Sequence, residues 1–100
     1  MIIKDFNQDD FENIISNNKV ILDFYADWCG PCKMLSKVLD EFILNNKDLI
    51  ILKINVDKHI NLAKKYGVMT IPTLVLYENG KLVKKNMGYI RLDELEKWIN

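Results

Sequence analysis

The 100-residue chain has few of the residues that cross-link a fold or interrupt its helices and strands: two cysteines, two prolines and four glycines. Charge of neither sign is in excess, because 14 Lys and Arg residues balance 14 Asp and Glu residues. The chain therefore lacks the excess of positive charge that would attract a phosphate backbone, and we expect no nucleic acid partner. Long hydrophobic runs are also missing, since runs such as 49–52 and 71–77 fall far short of the roughly 20 residues that span a membrane. We therefore expect no membrane association.

The amino-terminal stretch MIIKDFNQDDFE lacks the basic region, the apolar region and the small-residue cleavage site of a signal peptide. We therefore expect the protein to be cytoplasmic. In that reducing compartment, Cys29 and Cys32 favour metal binding or redox chemistry over a permanent disulfide. A length of 100 residues with 49% hydrophobic content predicts a single domain over 1–100, and we expect it to be a monomer.

Short apolar runs alternate with amphipathic segments, which is typical of an α/β fold. MIIKDF predicts a short first strand, and the β-forming runs at 20–26 and 49–56 predict two buried parallel strands. Asn79 and Gly80 supply the positive φ angles of a tight hairpin turn between two further strands. Apolar residues at helical spacing predict helices after Asn7, from Pro31, around 62–66 and over 92–99. The predicted order is βαβαβαββα, a mixed central sheet of about five strands flanked by four helices.

Both cysteines lie in the stretch DWCGPCK, where a buried strand leads into a helix. Cys29 precedes the helix and Cys32 lies in its first turn, so the two side chains are close enough for a disulfide. Unpaired amides and the helix dipole at this end favour an anion, which predicts a lowered pKa and a nucleophilic thiolate at Cys29. Cys32, one turn inside, is predicted to be more shielded and to attack the mixed disulfide that Cys29 forms with a substrate. Pro31 stiffens the loop, and Gly30 allows another chain to approach the sulfur closely.

A metal site is the alternative use of the two cysteines. Zinc takes four ligands in most structural sites, and only His59 adds another unambiguous ligand, so we expect no metal. Asp23 interrupts an apolar strand between Leu22 and Phe24, which predicts that its carboxyl is buried. Burial raises the pKa of a carboxyl, so Asp23 is a candidate acceptor for the proton of Cys32.

The stretch WCGPCK after a strand containing DFYA, followed by MTIPT and YENGK, resembles the thioredoxin family over nearly the whole chain. The resemblance implies the thioredoxin fold and a thiol–disulfide oxidoreductase that reduces disulfides of cytosolic client proteins. It implies that a thioredoxin reductase recycles the protein, and that no cofactor is bound beyond a redox-active Cys29–Cys32 disulfide. Lys53 is implied as the partner of Asp23, and the peptide bond before Pro72 is implied to be cis. The implied substrate-facing surface comprises Trp28, Gly30, Pro31, Ile71, Pro72, Met87 and Gly88.

Three residues depart from the pattern of many family members. Tyr25 stands in place of a tryptophan, Lys37 in place of a helix-kinking proline, and Thr70 in place of a glycine found in some members. These differences bear on helix stability and partner preference. Among the other conspicuous side chains, Trp98 is expected in the core and His59 in a solvated loop. An edge strand is expected to be protected from further pairing by Lys81, Lys84 and Lys85.

Two other functions fit the same residues. A redox-silent adaptor would use the surface around Trp28, Ile71 and Pro72 only to dock a partner protein, although the intact cysteine pair disfavours this function. A thiol oxidant or a disulfide isomerase would require an oxidising compartment, for which we find no export signal. Reduction of protein disulfides is therefore our leading hypothesis.

Overall fold

The chain forms five strands and four helices in the predicted order βαβαβαββα. The computed structural model describes all residues from 1 to 100. The strands are β1 Ile2–Ile3, β2 Lys19–Tyr25, β3 Ile50–Asn55, β4 Thr73–Glu78 and β5 Lys81–Met87. The helices are α1 Gln8–Asn17, α2 Gly30–Leu44, α3 Ile60–Lys65 and α4 Leu92–Trp98. None of these helices has the length and apolar character that crossing a membrane requires.

The five strands form one mixed sheet in the order β1-β3-β2-β4-β5. β3 pairs in parallel with both β1 and β2, whereas β4 pairs antiparallel with both β2 and β5. β2 is therefore the central strand, and the segment after its carboxyl end leads directly into α2. In open α/β sheets the carboxyl ends of the strands are where ligands bind. This topology places both cysteines at that edge.

Alternate residues of β2 point to opposite faces of the sheet. The even-numbered apolar residues of β2 pack in a core with α1 and α3, whereas Ile21 packs in the core formed with α2 and α4. Asp23 is two positions from Ile21 and therefore lies on the α2 side of the sheet. The parallel register pairs Asp23 with Lys53 of β3. Two charged side chains thus share one buried face beneath α2.

The first strand is much shorter than the predicted MIIKDF. Only Ile2 and Ile3 pair, and they do so at the edge of the sheet with β3 as their single neighbour. The chain then leaves the sheet because α1 begins soon after. The side chain of Asn7 accepts a hydrogen bond from the backbone N–H of Asp10 at 2.9 Å, and the Asp10 carboxylate accepts one from the backbone N–H of Asn7 at 3.3 Å. This capping box fixes where the helix starts.

The hairpin between β4 and β5 turns at Asn79 and Gly80, as predicted. Their φ angles are +49° and +85°, values that suit glycine and asparagine better than other residues. β5 is an edge strand of the sheet, as expected. Lysines occupy three of its positions, Lys81, Lys84 and Lys85.

Two aromatic side chains differ in exposure from the prediction. His59, expected in a solvated loop, is half-buried and stacks on Phe6 with 4.6 Å between the ring centroids. The loop position is as predicted, but the exposure is lower than expected because His59 contacts Phe6, a residue distant in sequence. Trp98, expected in the core, is half-buried at its margin because it is the last residue of α4. The ammonium of Lys84 lies 5.6 Å from the centroid of its ring.

Candidate active site

Cys29 and Cys32 form a disulfide at the start of α2. Cys29 is the N-cap residue of this helix, and its Sγ accepts a hydrogen bond from the backbone N–H of Cys32 at 3.2 Å. The Cα atoms of the two cysteines are 5.2 Å apart, within the range that a disulfide requires. Pro31 lies in the first turn, where the lack of an N–H breaks no helical hydrogen bond. The helix start therefore directs a backbone amide at the Cys29 sulfur.

The two cysteines do not differ in exposure as predicted, since Cys29 is 5% exposed and Cys32 is 4% exposed. Both pack against Ala26, and the Cys29 sulfur lies 3.9 Å from the carbonyl oxygen of Ile71. The prediction considered α2 alone, whereas Ile71, in the segment before the neighbouring strand β4, lies against Cys29. Gly30 beside the disulfide is exposed, and a Cβ atom placed on it would meet nothing within 4 Å. Another chain can therefore approach on that side.

Asp23 and Lys53 form a buried pair beneath α2, with exposures of 1% and 6%. Lys53 Nζ is 3.6 Å from Asp23 Oδ2, which is an ion-pair distance but too long for a hydrogen bond. Neither carboxylate oxygen has a hydrogen-bond partner. Burial raises the pKa of Asp23 to about 6, because the attraction of Lys53 offsets only part of the desolvation. This carboxyl can therefore exchange a proton near neutral pH.

Ser36 is a member of this group that the sequence did not predict. The ammonium of Lys53 donates a hydrogen bond to Ser36 Oγ at 2.9 Å. Ser36 lies one helical turn after Cys32 on α2. A cleft of about 170 Å³ is lined in part by Cys32, Ser36 and Lys53. One signal for Ser36 was available in the sequence, because it is a hydroxyl residue on the face of α2 that otherwise carries buried apolar residues.

Trp28, predicted to face substrates, is 71% exposed beside the disulfide. Its indole Nε1–H donates a hydrogen bond to Asp57 Oδ2 at 3.0 Å. This contact holds the ring at the surface although little protein covers it. Asp57 was not predicted, because no local pattern links it to a tryptophan 29 positions earlier.

The remaining predicted surface residues come from the segment before β4 and from the end of β5. The Ile71–Pro72 peptide bond is cis, as the resemblance implies. Pro72 is buried and Ile71 is half-buried. The backbone N–H of Gly88 donates to the carbonyl oxygen of Pro72 at 2.8 Å, and Met87 beside it is 72% exposed. The structure thus brings Ile71, Pro72 and Gly88 together, with Ile71 against Cys29.

The three departures from the family pattern lie outside the segment from Cys29 to Cys32. The Tyr25 ring faces Lys53, whose Nζ is 4.8 Å from the ring centroid. Lys37 is exposed on α2, which runs without interruption from Gly30 to Leu44. Thr70 is exposed, and its carbonyl oxygen accepts a hydrogen bond from Thr73 Oγ1 at 2.7 Å. Of the three, Tyr25 packs against the cluster formed by Ala26, Cys29 and Cys32.

The chain matches a family model described as Thioredoxin over residues 2–100. A thioredoxin from Chlamydia caviae is 39% identical over 99 residues, which cover 99% of this chain and 97% of that protein. The chain belongs to the thioredoxin family. A thioredoxin from Alicyclobacillus acidocaldarius is 41% identical over 88 residues, which cover 86% of this chain and 84% of that protein.

Solved thioredoxin structures share the fold described above. The oxidised form of mitochondrial thioredoxin 3 from Saccharomyces cerevisiae is similar, with a TM-score of 0.88 and 40% identity over 98% of this chain and 92% of that chain. The predicted thioredoxin fold is therefore confirmed. Thioredoxins are thiol–disulfide oxidoreductases that use a redox-active cysteine pair, and this chain carries such a pair in Cys29 and Cys32. No group of three or more His, Cys, Asp or Glu side chains is arranged to hold a metal ion.

Proposed function

We propose that this thioredoxin-family protein reduces disulfides in cytoplasmic client proteins and that a thioredoxin reductase restores its dithiol. The observation that carries the proposal is the position of Cys29 at the N-cap of α2, with its sulfur 3.2 Å from the backbone nitrogen of Cys32. The amide hydrogen and the positive end of the helix dipole stabilise a thiolate on Cys29. A thiolate attacks disulfides, whereas a thiol does not.

The first step of the proposed reaction forms a mixed disulfide between Cys29 and the client. The Cys29 thiolate attacks one client sulfur, the client's S–S bond breaks, and its second sulfur leaves as a thiolate that takes a proton from water. The open space beside Gly30 gives the client chain access to Cys29. Pro31 restricts the backbone between the two cysteines.

The second step releases the client as a dithiol. The Cys32 sulfur attacks Cys29 and the Cys29–Cys32 disulfide forms. The bond between Cys29 and the client breaks, and the client's sulfur leaves as a thiolate that takes a proton from water, so two electrons pass to the client. The proton of Cys32 goes to Asp23, whose pKa of about 6 suits it to this transfer. Lys53 keeps the carboxyl ionised at neutral pH and therefore able to accept. The cleft lined in part by Cys32 and Lys53, about 170 Å³, is large enough to hold water.

Client recognition in this proposal combines backbone pairing with apolar contacts. Ile71 lies against Cys29, so an extended client segment that reaches Cys29 can pair with the backbone there, as an added strand pairs with a sheet edge. Trp28 and Met87 are both more than two-thirds exposed, and they offer large apolar surfaces to the client's side chains. Pro72 and Gly88 complete the surface beneath that segment.

Two cysteine variants test the proposed steps, with insulin as the disulfide client. We expect Cys29→Ser to abolish insulin reduction, because the attacking sulfur is gone. We expect Cys32→Ser to accumulate a covalent mixed disulfide with insulin, visible on a non-reducing gel. Normal turnover by Cys32→Ser would show that the two-thiol mechanism is wrong.

Recycling is tested separately by supplying electrons to the unaltered protein. Sustained insulin reduction with NADPH and a thioredoxin reductase, or with ferredoxin and a ferredoxin-linked reductase, is expected. No turnover with either donor would contradict recycling by a reductase. A redox-silent adaptor would instead show no insulin reduction at all, and its binding to a partner would survive removal of both cysteines.

A further inference from the structure

Ser36 receives the only hydrogen bond that the buried ammonium of Lys53 donates to the protein. Two oxygen atoms lie near this ammonium, Ser36 Oγ at 2.9 Å and Asp23 Oδ2 at 3.6 Å. With Lys53 only 6% exposed, water competes weakly for its protons. The ammonium has three N–H donors, but only the Ser36 hydroxyl lies within hydrogen-bond distance, and the Asp23 carboxylate lies farther away.

The Ser36 hydroxyl also links Lys53 to the helix that carries the disulfide. Lys53 belongs to β3, whereas Ser36 lies one turn after Cys32 on α2. Cys32, Ser36 and Lys53 line the same cleft. The hydrogen bond therefore ties the ammonium that pairs with Asp23 to the helix that carries Cys32.

We propose that Ser36 is a positioning residue for client release: by accepting a hydrogen bond from Lys53, it holds the ammonium back from the Asp23 carboxylate. The inference rests on the proton transfer from Cys32 to Asp23 proposed above. A closer Lys53 would stabilise the ionised carboxylate and make it a weaker base. Ser36 thus keeps Asp23 able to take a proton near neutral pH.

Lys53 is the charged group that governs the ionisation of Asp23. On the other side of Asp23, β4 presents Leu74, which is apolar and fully buried. The titratable groups that line the cleft are Lys4, Tyr25, Asp27, Cys32, Lys33 and Lys53. Besides burial, only Lys53 contributes to the shifted pKa of Asp23.

Removal of the Ser36 hydroxyl leaves Asp23 as the remaining acceptor for the ammonium. The distance from Lys53 to Asp23 is then free to shorten from 3.6 Å to the roughly 2.8 Å of a charge-assisted hydrogen bond. At an effective dielectric constant of about 20, this contraction lowers the pKa of the carboxyl by about one unit. In the pH profile of the client-release rate, the midpoint on the acid side shifts to lower pH by the same amount.

The test is an NMR titration of the Asp23 carboxyl carbon in the disulfide form, in which no thiol titrates. Ser36→Ala removes the hydroxyl, and Ser36→Thr, which keeps one, is the matched control. We expect the Asp23 midpoint to fall by about one pH unit in Ser36→Ala and to stay near that of the unaltered protein in Ser36→Thr. In a Lys53→Met background, Ser36→Ala is expected to leave the midpoint unchanged, because Ser36 acts through Lys53.

Three results would overturn the inference: an unchanged or raised midpoint in Ser36→Ala, a Ser36→Thr midpoint equal to that of Ser36→Ala, or an equal fall in the Lys53→Met background. The carboxyl titration requires no client protein. Its outcome is therefore separate from that of the insulin assay, where failure of the unaltered protein would contradict the proposed function and not the positioning of Lys53 by Ser36.

Discussion

The buried carboxyl of Asp23 destabilises the folded protein at neutral pH, and we expect its replacement by asparagine to remove that cost. Asp23 is 1% exposed and neither of its carboxylate oxygens is hydrogen-bonded. Burial raises its pKa from 3.8 to about 6 even with Lys53 nearby. The folded protein therefore binds this proton more tightly than the unfolded chain does.

The difference in pKa determines both the sign and the size of the effect. Below pH 3.8 the carboxyl is protonated in both states and costs nothing. Between pH 3.8 and 6 the unfolded chain ionises first, so the free energy of unfolding falls as the pH rises. Above pH 6 the loss is complete, and a difference of about two pKa units corresponds to about 3 kcal/mol. An asparagine carries no charge at any pH and avoids this loss.

Urea unfolding of the disulfide forms at two pH values measures this effect. We expect Asp23→Asn to raise the free energy of unfolding by about 3 kcal/mol near pH 7, and by less than about 1 kcal/mol near pH 4. Asp27→Asn is the matched control, because Asp27 is exposed and its replacement is expected to change stability little at either pH. Equal stabilities of Asp23→Asn and the unaltered protein near pH 7 would refute the reasoning, as would a larger gain near pH 4.

Three further substitutions test other parts of the structure. We expect Trp28→Ala to raise the KM for insulin about tenfold, while the alkylation rate of the Cys29 thiol in the reduced protein stays unchanged. An unchanged KM would show that Trp28 does not contact the client. Gly80→Ala places a Cβ atom on a residue with φ of +85° and is expected to cost about 1 kcal/mol in thermal unfolding. Asn79→Gly should show no such loss, and equal effects would argue against backbone strain. Leu39→Ala opens a cavity in the core at a residue that is 1% exposed, and a loss of about 2–5 kcal/mol is expected in urea unfolding; a loss within about 0.5 kcal/mol would be inconsistent with its burial.

Most of the fold could be predicted because its signals are local. The β-forming run at 20–26 and the dipeptide Asn79-Gly80 each specify an element through their own conformational preferences. The length of β1 could not be predicted in this way. Its end depends on how far Ile2 and Ile3 pair with β3 and on where α1 begins, and both are properties of the folded chain.

The candidate site could be predicted where its parts are neighbours in sequence. Cys29 and Cys32 lie in one helical turn, so helix geometry alone predicts that a disulfide can form. Ser36 was missed because its contact, Lys53, comes from another element 17 positions away. The contact of Ile71 with Cys29 was missed for the same reason, since the two residues are 42 positions apart.

Stabilisation of a thiolate by the start of α2 is tested most directly by the ionisation of Cys29 in reduced Cys32→Ser, which keeps the backbone N–H of residue 32. Ultraviolet absorbance of the thiolate is followed against pH, with the iodoacetamide alkylation rate as a second readout. Both are expected to give a pKa well below the value of about 8.5 for a free cysteine. A midpoint at or above about 8.5 would contradict the proposal that the helix start activates this sulfur.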